Sequence, residues 1–257
     1  MPRLSAIVTT FNEEAVIGEC LASLAFADEV LVVDSFSTDA TVEIARSCGA
    51  RVLQHEYLSP AAQKNWAVPQ AAHEWVLAVD ADEVITPGLA AEISRAIADR
   101  GERDGYQVRR RNFFLGHEIR YSGWQNDWVL RLFRRDRGRY LERQVHERLV
   151  VEGPVGRLKG RVIHNSYRSL DDYWRKLRRY AEWNATEALR GGARVSPARL
   201  FLHPPLRFLK AYLLQGGLLD GVPGLVVCLL TAVYAAAKDV QIWSEQHRPD
   251  RRKHGAQ

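Results

Sequence analysis

The sequence predicts an α/β fold: a mostly parallel sheet with helices on both faces, followed by a helical C-terminal appendage. In the first half, short apolar and β-branched segments alternate with helical segments of about ten residues. Such alternation is typical of βαβ units, whose parallel strands are covered on both faces. With 257 residues, the chain is long enough to bury a sizeable core.

Four strands are predicted in the first half, each followed by a polar segment. After the first strand, Asn12-Glu13-Glu14 is expected to cap a helix and to place carboxylates in its first turn. After the second, residues 35–39 are predicted to form a loop and an N-cap, and the following helix ends at Gly49. Ser59-Pro60 begins the next helix. The predicted elements are the strands Leu4–Thr10, Glu29–Asp34, Arg51–Gln54 and 75–79, and a helix over residues 40–48.

The fourth predicted strand ends abruptly on Asp80-Ala81-Asp82-Glu83. Carboxylates there would lie at the carboxyl edge of the sheet, where open α/β sheets bind ligands. Clustered carboxylate oxygens suit a hard divalent cation such as Mg²⁺ or Mn²⁺, and such a cation suits a diphosphate. A solvated turn after a strand is the alternative, which one Asp-x-Asp alone does not exclude.

The second half of the chain is basic and partly apolar. The net charge is +5, and much of the excess lies around Arg175, Arg178 and Arg179, among aromatic residues. An anionic membrane surface and a nucleic acid both fit this pattern. The apolar run over residues 222–237 favours the membrane, as an interfacial or re-entrant helix first, then a buried core helix, and last a true span. We therefore expect peripheral membrane attachment and no nucleic acid.

The cysteines and the N-terminus indicate the compartment. Three cysteines without metal-site spacing indicate a reduced cytosolic environment. No charged and apolar leader precedes the first strand, so a cleaved signal peptide is not expected.

Four segments together resemble the inverting family-2 glycosyltransferases, which have the GT-A fold. Lys64 stands where that family has Arg, while Ser35 and Phe36 depart from its usual Asp and Gly. Later segments resemble the subgroup that adds glucose to a heptose of the lipopolysaccharide core. The segments that carry the resemblance are residues 4–14, 32–41, 63–67 and 80–83, and, for the subgroup, 123–124, 130–135 and 145–149.

The resemblance implies a role for each of these segments. Asp82 would contact the metal directly, and Asp80 the ribose or a metal-bound water. Lys64, with its neighbour Asn65, would lie near the donor phosphates, unless Lys64 is a solvated helix residue. Asp34 or Asp39 would bond the uracil or ribose, unless Asp39 only caps the second helix. The uridine pocket would be shaped by Thr9, Phe11 and Glu13.

An inverting transfer also needs a base that takes the proton of the acceptor hydroxyl. The resemblance favours Glu147, with His146 as its orienting neighbour or as the base itself, and Asp127 as the rival. Glu147 could instead be a surface carboxylate paired with a neighbouring arginine. His164, at the end of a short apolar strand, could complete the metal shell, although a histidine there is more often structural.

The sequence thus predicts a GT-A domain over residues 1–167 and a membrane-associating appendage over residues 168–257, with helices that begin at the caps Ser169 and Ser196. The expected reaction moves a hexose, as in UDP-glucose, to a lipid-linked saccharide, an inner-core heptose of lipopolysaccharide, at the inner face of the cell membrane. A polyprenyl phosphate acceptor, a nucleotidyltransferase and a non-catalytic binding module are the alternatives. Four arginines are expected to meet acceptor phosphates: Arg109, Arg110, Arg111 and Arg131.

Overall fold

The computed structural model describes residues 2–99, 103–141 and 148–248, and it confirms the α/β fold class. These residues form two compact units. The first contains the chain up to Glu118 together with Asn126–Ser166, and the second contains Ile119–Gln125 and the chain from Tyr167 onward. The segment Ile119–Gln125 therefore groups with the C-terminal helices, although it lies within the sequence range assigned above to the GT-A domain.

A nine-stranded sheet, in the order β3-β2-β1-β4-β8-β6-β11-β5 with β7 paired to β6, forms the centre of the first unit. A separate two-stranded sheet joins β9 and β10. The strands are β1 (Leu4–Thr10), β2 (Glu29–Asp34), β3 (Arg51–Gln54), β4 (Trp75–Asp80), β5 (Glu83–Ile85), β6 (Gly105–Phe114), β7 (His117–Ile119), β8 (Trp128–Arg134), β9 (Gly138–Leu141), β10 (Arg148–Val151) and β11 (Val155–Tyr167).

The sheet changes direction halfway across. The neighbours β3, β2, β1 and β4 pair in parallel, as predicted. From β4 onward the pairs β4–β8, β6–β8 and β5–β11 are antiparallel. The expectation of a mostly parallel sheet therefore holds only for the first four strands. Among the described residues from β6 to β11 no helix lies between consecutive strands, whereas parallel neighbours require a crossover connection.

Helices cover both faces of the parallel half. Alternate residues of β1 point to opposite faces, so Leu4, Ala6 and Val8 join one buried cluster while Ile7 joins another. The first cluster packs against α1, α2 and α4, and the second against α3. The helices are α1 (Ile17–Ala22), α2 (Thr41–Ser47), α3 (Pro60–Ala67) and α4 (Pro87–Ala98).

Most of the predicted helix starts are confirmed by their caps. Ser59 accepts a hydrogen bond from Ala62 N at 3.1 Å, and Pro60 occupies the first turn of α3. The predicted cap at Asn12 is wrong, because α1 begins only at Ile17 and has no side-chain cap. Asn12 instead bonds the loop that follows β2, since its short polar side chain and its positive φ of 54° suit a tight turn.

The second unit is helical. Helix α5 (Leu170–Arg190) begins at the predicted cap Ser169 and ends at Gly191. Helix α6 (Pro197–Leu209) also begins at its predicted Ser196 cap and continues as one π-helical segment over Lys210–Leu214. Helix α7 (Gly221–Gln246) has 26 residues and extends beyond the apolar run. By length and composition alone, the segment Gly217–Gln246 could cross a membrane.

Hydrogen bonds between side chains join the three helices. Asp239 of α7 is fully buried and accepts from His203 Nδ1 of α6 at 2.5 Å, with Arg199 nearby at 3.3 Å. On the other side of α7, Tyr173 of α5 donates to the carbonyl of Leu230 at 2.8 Å. Helix α7 is therefore held between α5 and α6 by polar contacts that its apolar composition does not suggest.

Candidate active site at the carboxyl ends of the parallel strands

The strand register brings the predicted polar residues to one edge of the sheet. Thr10 of β1 lies opposite Asp34 of β2, and Thr9 lies opposite Asp80 of β4. Parallel strands end at the same edge, so the loops after β1, β2 and β4 meet there. This is the edge at which open α/β sheets bind ligands.

Hydrogen bonds connect the loops after β1 and β2. Asn12 N donates to Ser37 Oγ, and Asn12 Oδ1 accepts from Thr38 N, both at 2.8 Å. Asp34 is fully buried and accepts from Ser37 N and from Gln54 Nε2, both at 3.0 Å. Asp34 thus holds the loop after β2 through hydrogen bonds. Its contact with uracil or ribose stays a prediction.

Asp39 organises the start of α2. It accepts hydrogen bonds from Thr41 N at 3.0 Å and from Glu14 N at 3.1 Å. Burial by itself would raise the pKa of Asp39, but the bonds from Thr41 and Glu14 outweigh it and lower that pKa. These bonds support the interpretation that Asp39 caps α2. A contact of Asp39 with the uracil or ribose of the nucleotide-sugar donor stays a prediction.

Two aromatic rings stand open at this edge. Phe11 is 54% exposed and Phe36 is 55% exposed, and Phe36 has a positive φ of 61°. Thr9 and Glu13 are half-buried beside them. Exposed rings of this kind can stack on a base. Phe11 was predicted to shape the uridine pocket, whereas Phe36 stands where the family pattern has Gly, and its exposed ring could not be predicted from that pattern.

Asp80 is surrounded by three cations. Its Oδ1 accepts from Lys64 Nζ at 2.8 Å, and its Oδ2 contacts Arg131 and, at 3.2 Å, Arg110. Burial by itself would raise the pKa of this carboxyl, but Arg131, then Lys64 and Arg110, hold the pKa well below its usual value. Asp80 is therefore ionised at neutral pH and already neutralised by protein groups.

The helix α3 residues face inward. Lys64 is buried, so the interpretation as a solvated helix residue is wrong; burial is possible because Asp80 neutralises the ammonium. Asn65 bonds both backbone groups of Tyr140 at 2.8 Å, which secures β9 to α3. A contact of Asn65 with the phosphates of the nucleotide-sugar donor stays a prediction, and this geometry does not support it.

Glu83 forms the floor of the same cluster. Its side chain is 1% exposed and receives Arg110 Nε and Arg131 Nη2, both at 2.7 Å, while Asp80 N donates to its other oxygen at 3.1 Å. Arg110 and Arg131 therefore bind these acids, and their contact with acceptor phosphates stays a prediction. A buried strand such as β8 can hold Arg131 only with carboxylates beside it. The arginine within the apolar segment 129–133 was the sequence signal for such partners.

Asp82 and His164 lie together. His164 Nε2 is 3.7 Å from Asp82 Oδ2, and both side chains are about one-fifth exposed. The antiparallel pairing of β11 with β5 sets this contact, because it places His164 opposite Glu83. The predicted metal residues are thus neighbours, although 82 positions separate them in the chain.

Asn112 of β6 determines the tautomer of His164. The Asn112 amide nitrogen donates to Asp127 Oδ2 at 3.0 Å. The Asn112 oxygen then faces His164 Nδ1 at 2.7 Å, and that nitrogen must carry the proton. The Nε2 lone pair is left toward Asp82, which is how second-shell partners orient a histidine ligand.

Asp82 Oδ2 and His164 Nε2 are ligand atoms that suit a divalent cation. Bonds of about 2.1 Å to one ion place two ligand atoms no more than about 4.2 Å apart, so the separation of 3.7 Å is compatible. Among the described residues, no group of three or more His, Cys, Asp or Glu could hold a metal. Phosphate oxygens and water are ligands that Mg²⁺ commonly takes in addition to one or two protein groups.

Of the three residues predicted as the catalytic base, the structure describes one. Glu147 and His146 fall outside the residues that the structure describes. Asp127 is described: its side chain is 30% exposed, and it lies 3.7 Å from Arg110 and 3.0 Å from Asn112. Asp127 is therefore connected through Asn112 to His164, a link that the sequence analysis did not anticipate.

Comparison with known proteins agrees with this architecture. The model of "Glycosyl transferase family 2" matches residues 5–151. The chain is 32% identical to the lipopolysaccharide core biosynthesis glycosyltransferase LpsC of Rhizobium meliloti, covering 96% of this chain and 95% of that protein. It is 28% identical to an uncharacterized glycosyltransferase of Rickettsia typhi, covering 90% and 84%. A Pyrobaculum calidifontis mannosyltransferase, solved with GDP-mannose and Mn²⁺, has a TM-score of 0.55 at 17% identity, covering 94% and 87%.

Proposed function

Because this chain belongs to glycosyl transferase family 2 and is a glycosyltransferase, we propose that it transfers a hexose from a nucleotide sugar to a lipopolysaccharide inner-core sugar, with inversion and with a divalent cation. The donor we propose is UDP-glucose and the acceptor a heptose. LpsC is named for lipopolysaccharide core biosynthesis and covers nearly the whole chain, which supports this acceptor class.

The proposal that a metal assists the transfer rests on one observation: Asp82 lies beside His164, and Asn112 orients the His164 ring. A divalent cation, Mg²⁺ or Mn²⁺, neutralises a departing diphosphate without consuming a proton. Asp82 and His164 would hold it, while Asp80 is occupied by Lys64, Arg110 and Arg131. Lys64 would add a positive charge near the donor phosphates. The rings of Phe11 and Phe36 would stack on the nucleobase of the donor. The mannosyltransferase solved with Mn²⁺ shares this fold.

A thermal-shift experiment tests the donor and the metal together. UDP-, GDP- and dTDP-sugars are added with and without Mn²⁺, and the midpoint of unfolding is measured. We expect a UDP-sugar to stabilise the protein only when the metal is present, because a ligand that binds the folded state raises its stability. Stabilisation by the metal-free nucleotide alone, to the same extent, would contradict the metal-assisted mechanism. Labelled donor with a heptose or a polyprenyl phosphate acceptor then separates the two acceptor classes.

The base assignment yields a second prediction. Glu147→Gln removes the proton acceptor but keeps the size of the side chain, so we expect turnover to fall by at least about 10²-fold while donor affinity is retained. Turnover and donor affinity are measured on the same preparation. A near-normal rate would transfer the role to Asp127 or His146, and Asp127→Asn is the matching variant.

Asn112 provides a third prediction, on metal binding. In Asn112→Leu, His164 Nδ1 loses its contact with the Asn112 oxygen at 2.7 Å, so we expect the affinity for Mn²⁺ in the presence of UDP to fall by about 10- to 100-fold. Calorimetry measures this affinity independently of activity. Ser166→Ala is the matched control, because Ser166 Oγ also contacts His164 Nδ1, at 3.1 Å, a longer contact than the 2.7 Å of Asn112. If both variants bind Mn²⁺ like the parent, Asn112 does not orient the ligand.

The proposed location is the inner face of the cell membrane, where a lipid-linked acceptor is presented. Basic residues outnumber acidic ones in the second unit, and Arg175, with a side chain that is 76% exposed, belongs to the basic turn of α5. Such a surface attracts anionic lipids. Reversing the charges of Arg175, Arg178 and Arg179 tests this attraction, since the protein should then leave anionic vesicles at low salt.

A further inference from the structure

The outward face of helix α6 is apolar. Phe201 is 80% exposed, Leu206 is 59% exposed and Leu209 is 46% exposed. A helix on a water-soluble protein normally turns its apolar stripe inward, yet none of the residues of α6 is buried. Side chains three or four positions apart share one side of a helix. The outer face of α6 is therefore one continuous stripe, formed by Phe201, Leu202, Leu206, Leu209 and Leu213.

The stripe continues past the end of the helix. Leu214 is 83% exposed and Leu219 is 63% exposed, and Val222, in the first turn of α7, is 73% exposed. Contiguous apolar surface of this kind marks an interaction site when it exceeds a few hundred Å². The inner face of α6 is meanwhile held on α7 by the contacts of His203 and Arg199 with Asp239. The stripe therefore cannot turn inward without breaking the contacts that His203 and Arg199 make with the buried Asp239.

We propose that the outer face of α6 inserts into the interfacial layer of an anionic bilayer, with the helix lying in the membrane plane. This inference rests on the proposed membrane location and specifies the surface that makes the contact. The exposed Lys210 follows the last residue of α6, where an interfacial helix places a basic residue against lipid phosphates. An apolar stripe with a basic residue at its end fits a lipid surface better than it fits a second copy of the same basic unit.

Helix α7 is apolar enough to span a membrane, but its neighbours make it a poor candidate. Along its length it bonds α5 through Tyr173 to Leu230 and through Asn184 to Tyr234, each at 2.8 Å. Carrying α7 across the bilayer would take the arginines of α5 with it, and buried arginines are costly in hydrocarbon. The fully buried Asp239 adds to that cost. The second unit therefore lies on the membrane and does not cross it.

Vesicle co-sedimentation tests the proposal. The full chain is mixed with phosphatidylcholine–phosphatidylglycerol vesicles at a molar ratio of about 7:3, in low salt and in high salt. Apolar insertion is not screened by salt, so we expect binding to persist in high salt. In the variant Phe201→Ser/Leu206→Ser/Leu209→Ser, partitioning should fall by about tenfold or more in both conditions. These side chains are exposed, so the variant should keep the parent's melting temperature.

A matched variant on α7 and a size measurement decide between occupants. Leu229→Ser/Val233→Ser/Val240→Ser removes three exposed apolar side chains from α7, and it should retain binding. Loss of binding in this variant but not in the α6 variant would overturn the proposal in favour of insertion through α7. A lipid-free dimer that the α6 changes convert to a monomer would also overturn it, because a second copy would then cover the stripe. Stabilisation by UDP-sugar and Mn²⁺ is measured on each variant, so that failure of vesicle binding is distinguished from failure of the proposed reaction.

Discussion

Asp82→Asn is expected to lower the rate of sugar transfer by about 10³-fold, which corresponds to about 4 kcal/mol of transition-state stabilisation. The amide keeps the shape of the side chain but loses the charge that would hold the cation beside His164. Asp80 cannot replace it, because Lys64, Arg110 and Arg131 already neutralise that carboxylate. Turnover at saturating donor and metal measures the effect.

The same variant should also lose Mn²⁺ binding in the presence of UDP while its melting temperature changes little. Asp136→Asn is the matched control, since Asp136 lies in the turn between β8 and β9 with a side chain that is 68% exposed. Its rate should equal that of the parent. An Asp82→Asn enzyme that keeps a metal-dependent rate within about threefold of the parent would refute the assignment of Asp82 to the cation.

Arg131→Met is expected to destabilise the protein by about 3–5 kcal/mol, because it removes one of the cations that neutralise the buried Glu83 and its neighbour Asp80. Glu83, at 1% exposure, would lose one of its two guanidinium partners, and Asp80 would lose its strongest one. Burial by itself lowers the pKa of Arg131, yet Asp80 and Glu83 raise it well above its usual value. The free energy of unfolding in urea measures the loss.

Two further variants separate the network from a general effect of strand β8. Arg134→Met removes an arginine from the same strand that is 37% exposed and lies 3.8 Å from Glu74, so it should cost less than about 1 kcal/mol. Glu83→Gln combined with Arg131→Met removes both buried charges, and part of the lost stability should return. Equal costs for Arg131→Met and Arg134→Met would show that burial of the pair is unimportant.

Local patterns were enough for the parallel half of the fold. The strands β1 to β4 could be predicted because apolar, β-branched segments and caps are properties of neighbouring residues. The position of Asp80 and Asp82 followed, since a strand that stops at acids places them at an edge whatever the rest of the chain does. The cap at Asn12 failed for a related reason: its side chain found a better partner in Thr38, from another loop.

The remaining site residues depend on pairings between distant strands. His164 comes from β11, Asn112 from β6, and Arg131 from β8, and a shift of one residue in any of these registers would turn the side chain to the opposite face. No local pattern determines such a register. The antiparallel half of the sheet was missed for the same reason, as was the use of Arg110 and Arg131 to neutralise Asp80.

The sequence by itself determined the α/β class, the family resemblance, the acidic edge after β4 and the helices of the second unit, because these are written in residues close along the chain. Only the tertiary structure decided that His164 meets Asp82, that three cations surround Asp80, and that the apolar stripe of α6 points outward. Periodicity indicates which residues share one face of a helix or strand, but the direction of that face depends on what packs against it.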